Sequence, residues 1–157
     1  MPDSQKISEK QSEYMNLIAE IMDIRKRGEK PVAYIRTYGC QQNVADSEKI
    51  KGMLEQSGFE FADEPDNADF ILFNTCAVRE HAEDRVFGNV GALKNLKRKH
   101  PQILIALCGC MMEQEHVANK IYKSFPFVGL VFGTHSLHHF PAVSYTHLRA
   151  HETELHL

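Results

Sequence analysis

Three apolar segments of this sequence each run directly into a short polar loop that contains cysteine. The segments occupy residues 32–38, 69–74 and 103–107, and the loops that follow them hold Cys40, Cys76, and the pair Cys108 and Cys110. Each loop precedes a helix-like stretch, and strands that alternate with helices predict a parallel sheet with right-handed crossovers. Because the carboxyl ends of parallel strands meet at one edge of a sheet, the thiols are expected to converge there. The pattern therefore predicts a metal or cluster site.

The remaining periodicity predicts a three-layer α/β fold, with a mostly parallel sheet of about four to five strands and helices on both faces. The predicted strands cover residues 32–38, 59–61, 69–74, 103–107 and 128–132. The predicted helices run from an N-cap at Asp46 or Ser47 to Gln56, from 79 to 99, and from about 113 to 124. The continuous apolar runs at 70–73 and 103–107 are typical of strands that are buried on both faces.

The two ends of the chain differ from this central region, which we delimit as residues 32–143. Residues 1–31 form a predicted helical extension, because Tyr14, Leu17 and Ile21 recur at helical spacing and Pro31 prevents continuation. Residues 144–157 continue neither the strand–helix pattern nor any motif of the central region. We interpret that segment as a non-native tail and exclude it from the fold prediction.

Composition narrows the class of protein. The chain has 157 residues and a formal net charge of −3, which argues against a strongly electrostatic nucleic-acid binder. No apolar run approaches the roughly 20 residues that span a bilayer, and no signal peptide opens the chain. We therefore expect a cytoplasmic protein without a membrane partner.

The four cysteines allow more than one interpretation. Two distant single cysteines and one Cys-x-Cys pair are unlike a disulfide-stapled secreted domain, and in a reducing compartment they favour metal, cluster or catalytic roles. Four thiols could also hold a structural zinc ion, although zinc sites normally show paired knuckles. A nucleotide-binding module lacks its glycine-rich motif here, and thiol redox chemistry lacks Cys-x-x-Cys. His135, His138 and His139 are interpreted as loop histidines rather than as a metal patch.

The cysteine loops carry recognisable motifs. They read Thr-x-Gly-Cys-x-x-Asn at 37–43, Asn-Thr-Cys-x-Val-Arg at 74–79 and Cys-Gly-Cys-Met at 108–111. This set resembles the N-terminal domain of the methylthiotransferases, a radical S-adenosylmethionine family, over roughly residues 31–141. The residues at 74–80 and 85–88 are most similar to the MiaB branch, although another branch remains an alternative. The resemblance implies a transferase that adds a methylthio group to N6-isopentenyladenosine beside the anticodon of tRNA.

The residues alone leave open whether Cys108 joins Cys110, because alternate side chains of an extended strand point the same way. The resemblance implies that the ligands of an auxiliary 4Fe–4S cluster are Cys40, Cys76 and Cys110, which leaves one iron open. Residues expected around these ligands are Asn43, Asn74, Thr75, Arg79 and Cys108. The asparagines and threonines, Thr37 included, either donate hydrogen bonds to cluster sulfur or serve as turn and cap residues. Arg79 either faces substrate or forms a surface ion pair.

The family also requires parts that this sequence does not contain. The radical-generating 4Fe–4S cluster and S-adenosylmethionine belong to a following barrel domain with a Cys-x-x-x-Cys-x-x-Cys motif, and tRNA requires a further RNA-binding module. We therefore expect an isolated or truncated N-terminal domain with no catalytic residue of its own. As a fragment it is expected to be inactive and to be a monomer or a weak dimer.

Overall fold

The computed structural model describes residues 29–39, 41–76 and 82–133, except for the side chains of residues 82, 83, 113, 118 and 132. The predicted N-terminal helix, the three histidines near residue 135 and the suspected tail lie outside these ranges. So do Cys40 and Arg79. The statements that follow concern the described residues.

Five parallel strands form one sheet. The strands are β1 (Val32–Thr37), β2 (Glu60–Phe61), β3 (Phe70–Thr75), β4 (Leu104–Gly109) and β5 (Leu130–Phe132). Their spatial order is β2-β1-β3-β4-β5, and all four neighbouring pairs are parallel. Strand β2 lies on one side of β1, whereas β3, β4 and β5 follow in order on its other side. The strands that precede the cysteine loops, β1, β3 and β4, are therefore neighbours. The predicted α/β sheet is confirmed.

Four α-helices connect the strands. They are α1 (Gln41–Gln56), α2 (Ala82–Ala92), α3 (Lys94–Lys99) and α4 (Glu115–Ser124). Short 3₁₀-helices cover Pro65–Asn67 and Cys110–Glu113. Within the described ranges, no helix is long and apolar enough to cross a membrane.

The helices cover both faces of the sheet, and each face has its own apolar core. On one face Ile50 and Leu54 of α1 pack against alternate residues of the strands, among them Ala33, Leu72 and Ala106. On the other face the packing residues come from α2 and α4 and from the intervening strand positions, among them Val86, Val90, Ile121, Ile71 and Leu107. Each fully buried side chain of this size contributes about 1.5–3 kcal/mol. Every residue of β3 and β4 is buried, so the points at which these two strands end are fixed by the core.

Helix α1 begins earlier than the sequence predicts. Its first residue is Gln41, immediately after Cys40, whereas the predicted caps Asp46 and Ser47 lie inside the helix. Both are buried, and their polar atoms have helix and strand partners: Gln42 donates to Asp46 at 3.1 Å, and Ser47 contacts the Thr37 hydroxyl at 2.6 Å. The prediction was wrong because Asp46 and Ser47, although of types that often cap helices, have other partners here and do not cap this one.

The long helix predicted for residues 79–99 is instead two helices over its described part. The N–H of Leu93 donates to the carbonyl oxygen of Val90, three residues earlier, so the helix tightens between α2 and α3. Leu93 is buried in the second core, and this burial anchors the break. At the end of α3 the Lys97 ammonium donates to the carbonyl oxygens of Pro101, at 2.6 Å, and of Ile103, so it ties the helix to the turn before β4.

Candidate metal centre

The cysteine loops converge because their strands are neighbours. Strand β3 lies between β1 and β4, with Thr37 opposite Asn74 and Asn74 opposite Cys108. The backbone N–H of Tyr38 continues the ladder with a hydrogen bond of 2.7 Å to the Asn74 carbonyl oxygen. All three loops therefore leave the sheet at the same edge, as the sequence predicts.

The first loop contacts Cys76 through a glycine. Gly39 has a φ of 110°, and a β-carbon built on it would overlap the Cys76 side chain and lie 3.0 Å from its sulfur. Only glycine allows this backbone conformation and this close approach. Cys40 itself lies outside the described residues, but the residue before it is thus packed against the second predicted ligand.

The third loop contacts Thr75, the residue before Cys76. Gly109 has a φ of 107°, and a β-carbon there would overlap the Thr75 carbonyl oxygen and lie 2.7 Å from the Thr75 nitrogen. The sulfur of Cys110, which is partly exposed, lies 3.8 Å from the Thr75 carbonyl oxygen. Cys76 is the next residue after Thr75 and is 5% exposed. The structure therefore packs Gly39 against Cys76, and Gly109 and Cys110 against Thr75, the residue before it.

Cys108 lies apart from these groups. Its side chain is 2% exposed and packs in the apolar core beneath α1. Burial raises the pKa of the Cys108 thiol, and the negative charge of Asp46 raises that pKa further. The positive φ of Gly109 interrupts the extended Cys-x-Cys geometry that would turn both thiols to one side. Cys108 is thus a buried core thiol.

The asparagines predicted near the ligands bond to each other and to the loops. The Asn43 side-chain nitrogen donates to the Asn74 side-chain oxygen at 3.0 Å and to the Thr75 carbonyl oxygen at 2.9 Å. The Asn74 side-chain nitrogen donates to the Asn43 carbonyl oxygen at 2.8 Å and to the Ser47 hydroxyl at 3.0 Å. The Thr75 hydroxyl donates to the Cys108 carbonyl oxygen at 2.7 Å. These groups join β3 to α1 and β4.

Two participants were missed by the sequence interpretation. Ser47 accepts the hydrogen bond from Asn74, and its position one helical turn after Asn43 was the available signal. Asn89 of α2 donates to the Tyr38 hydroxyl at 2.7 Å and so attaches that helix to the first loop. The Arg36 guanidinium lies 4.9 Å from the centre of the Tyr38 ring. Burial raises the Tyr38 pKa, whereas the Asn89 hydrogen bond and the Arg36 charge oppose that rise.

The donor set suits an iron–sulfur cluster. Thiolate sulfur is the ligand that such clusters take. The Cys110 sulfur lies 3.8 Å from the Thr75 carbonyl oxygen, Cys76 is the next residue along the chain, and Gly39 of the first loop packs against Cys76. Within the described ranges, no group of three or more histidine, cysteine, aspartate or glutamate residues is arranged as a metal site. That count does not include Cys40. The described residues thus supply two of the three predicted ligands.

A cleft opens at the opposite edge of the sheet. It has a volume of about 500 Å³ and is lined by residues such as Asp66, Asp69, Lys99 and His100, next to the amino ends of β3 and β4. Asp69 accepts a hydrogen bond of 2.8 Å from the Val32 backbone, so it closes the start of the sheet. No cysteine lines this cleft. The candidate centre is therefore at the carboxyl edge.

Comparison with known proteins identifies relatives of this domain. The uncharacterized protein family UPF0004 matches residues 32–133. A tRNA-2-methylthio-N(6)-dimethylallyladenosine synthase of Clostridium perfringens is 51% identical over 120 residues, which is 76% of this chain and 27% of the relative. The synthase of the same name from Caldicellulosiruptor saccharolyticus is 52% identical over 128 residues, or 82% of this chain and 27% of the relative. The chain thus spans about a quarter of the length of these relatives.

The family match and the structure agree in their limits. The matched residues begin with β1 and end one residue after β5, so they contain the whole described sheet and the loops of Cys76 and Cys110. Cys40 also falls within the match. The chain belongs to the UPF0004 family.

Proposed function

We propose that this chain is the auxiliary-cluster domain of a tRNA methylthiotransferase, with Cys40, Cys76 and Cys110 as the protein ligands of a 4Fe–4S cluster. The observation that carries the proposal is the packing of Gly39 against Cys76 and of Gly109 and Cys110 against Thr75. The names of the relatives, which are about half identical to this chain, supply the reaction.

Three ligands fit an open cluster better than a closed metal site. Cys108, the remaining thiol, is buried in the core beneath α1, and its recruitment as a fourth ligand requires that packing to break. Structural zinc normally has four protein ligands, so the arrangement disfavours a zinc site. When bound, the cluster would present one iron without a thiolate, available to the sulfur that is transferred. Helix α1, which starts directly after Cys40, would favour negative charge there through its N-terminal N–H groups.

The rest of the reaction belongs to parts of the enzyme beyond these residues. Methylthiolation requires S-adenosylmethionine and a second 4Fe–4S cluster, which we assign to a radical S-adenosylmethionine domain of the full-length enzyme. The substrate we propose is N6-isopentenyladenosine beside the tRNA anticodon, in accord with the names of the relatives. Within this domain the residues hold and orient the auxiliary cluster, and Arg79 is proposed to lie near it.

Iron counting tests the ligand assignment. The 157-residue chain would be reconstituted anaerobically with iron and sulfide, alongside Cys40→Ala, Cys76→Ala, Cys110→Ala and the control Cys108→Ala. We expect about four irons per chain in the wild type and in Cys108→Ala, and cluster loss in the other three. Zinc in place of iron, or loss of the cluster in Cys108→Ala, would overturn the proposal.

A further inference from the structure

We propose that Asn43 and Asn74 form a reciprocal amide clamp that positions the ligand loops before any cluster binds. The clamp consists of the two side chains and the groups to which they bond, namely Thr75 and Ser47. This inference rests on the proposed function, because it concerns how the same site is held. It assigns to the asparagines a mechanical role in place of contact with the cluster.

The clamp is formed by the hydrogen bonds of the two amides. Each NH₂ group has two hydrogens, and each meets two protein oxygens at distances between 2.8 and 3.0 Å. Asn43 is 4% exposed and Asn74 is fully buried. Amide hydrogens that turned toward cluster sulfur would leave buried acceptors unsatisfied, at about 1–3 kcal/mol for each. The amides are therefore committed to the protein.

The clamp connects helix α1 to the end of strand β3. Asn43 belongs to the first turn of α1, whereas Asn74 and Thr75 end the central strand β3. The Thr75 carbonyl oxygen that accepts from Asn43 also lies 3.8 Å from the Cys110 sulfur. One carbonyl group thus links the clamp to the third loop, and the next residue along the chain is Cys76. A change at Asn43 reaches both described ligand loops.

Two further contacts link the clamp to β1 and to the first loop. Ser47 accepts from Asn74 and also contacts the Thr37 hydroxyl at 2.6 Å, which ties the clamp to the end of β1. The Asn43 side-chain oxygen lies 2.9 Å from the position a β-carbon on Gly39 would take, so the first loop also rests on it. Satisfied polar networks in a low-dielectric interior rigidify the groups that they join. The ligand loops therefore pack against groups that this hydrogen-bond network holds in place.

The test compares cluster retention with stability. Asn43→Asp and Asn74→Asp keep the shape of the side chain and replace two donors by acceptors that face carbonyl or hydroxyl oxygens. Val90→Ala, in the core beneath α2, is the control for stability because it removes buried methyl groups and leaves every hydrogen bond of the clamp in place. Ser47→Ala removes one acceptor of the clamp and its link to Thr37, and it leaves the other three amide hydrogen bonds in place. The readouts are the melting temperature of each apoprotein, iron per chain, and the half-life of the visible absorption band in an iron chelator.

We expect the two aspartate variants to shorten the half-life by about 10-fold or more, the range found for partners that orient metal ligands. Ser47→Ala should have a smaller effect, and Val90→Ala should keep the wild-type half-life despite a lower melting temperature. A half-life that follows melting temperature alone across the whole set would overturn the clamp. It would reduce the asparagines to ordinary structural residues.

A second measurement on the wild-type apoprotein covers the case in which the aspartate variants do not fold. A short bifunctional thiol reagent, dibromobimane, would be added to the native chain and the linked peptides mapped by mass spectrometry. Preformed loops predict a dominant Cys76–Cys110 link among the described cysteines, lost in urea. Equal labelling without that link would overturn the proposal. If the Cys76–Cys110 link forms but the wild type takes up no iron, the proposed function fails instead.

Discussion

The Thr75 hydroxyl donates a hydrogen bond of 2.7 Å to the Cys108 carbonyl oxygen, across the two fully buried strands β3 and β4. This bond joins the last residue of the central strand to the first cysteine of the third loop. It holds the residue around which the cysteine loops gather. The contribution of the bond can be measured.

Replacement of Thr75 by valine should destabilise the chain. Thr75→Val keeps the shape of the side chain but removes the donor, so the buried Cys108 carbonyl oxygen loses one hydrogen bond. We expect the free energy of unfolding to fall by about 1–3 kcal/mol, measured by urea denaturation. Thr75→Ser is the control, because it keeps the hydroxyl and loses one methyl group, at about 0.8 kcal/mol. A serine variant less stable than the valine variant would show that packing outweighs the hydrogen bond.

Substitution of Gly109 should cost more than substitution of a glycine that also has a positive φ but has free space around it. Gly58 has a φ of 86° and no atom within 4 Å of the position a β-carbon would take, whereas Gly109 has the Thr75 backbone in that place. Gly58→Ala should lower the free energy of unfolding by about 1–2 kcal/mol, the cost of the left-handed conformation. Gly109→Ala should add a further loss of about 1–3 kcal/mol or more from overpacking. Equal losses in urea denaturation would contradict the close approach.

Cys108 should resist alkylation in the native protein. The thiolate is the reactive form, and burial raises the pKa of Cys108, so the thiol stays protonated as well as shielded. With iodoacetamide at about pH 7 to 9, which spans the ordinary thiol pKa, peptide mass spectrometry of the native apoprotein should find Cys110 modified and Cys108 unmodified. Denaturation in urea should make every cysteine reactive. Rapid native modification of Cys108 would show that α1 does not cover it.

Tyr38 should ionise at higher pH than an ordinary tyrosine. Burial disfavours the phenolate and raises the pKa, whereas the hydrogen bond from Asn89 stabilises the phenolate and opposes the rise. Asn89→Ala should therefore raise the Tyr38 pKa further. Ultraviolet titration measures this, and because the chain has five tyrosines, Tyr38→Phe identifies the late-titrating group by difference. A lower pKa in Asn89→Ala would reverse the sign we assign to that bond.

The sheet could be predicted from the sequence because its signals are strong and local. The apolar runs that became β3 and β4 are continuous, and each ends at a cysteine loop. Helix ends were less predictable. Asp46 and Ser47 are capping residue types, but their polar atoms bond within α1 or to the end of β1, and the break at Leu93 depends on tertiary packing.

Part of the candidate site could likewise be predicted from the sequence, and part could not. Convergence of the cysteine loops follows from parallel topology and was predicted, whereas the amide pair joins residues 31 positions apart and required the register of β1 on β3. Sequence spacing also could not show that Gly109 leaves the extended conformation and so separates Cys108 from Cys110. The ligand roles of Cys40, Cys76 and Cys110 and the position of Arg79 stay predictions.

The strand order also has a consequence during synthesis on the ribosome. The strands with cysteine loops are the first, third and fourth to emerge, yet they lie side by side, and β2 occupies the outer edge beyond β1. The three loops can come together only after β4 and the turn at residues 110–113 have left the exit tunnel. A nascent chain shorter than that lacks the third loop. The candidate site would thus be completed once residue 113 has emerged, since domains fold as units once their chain is available.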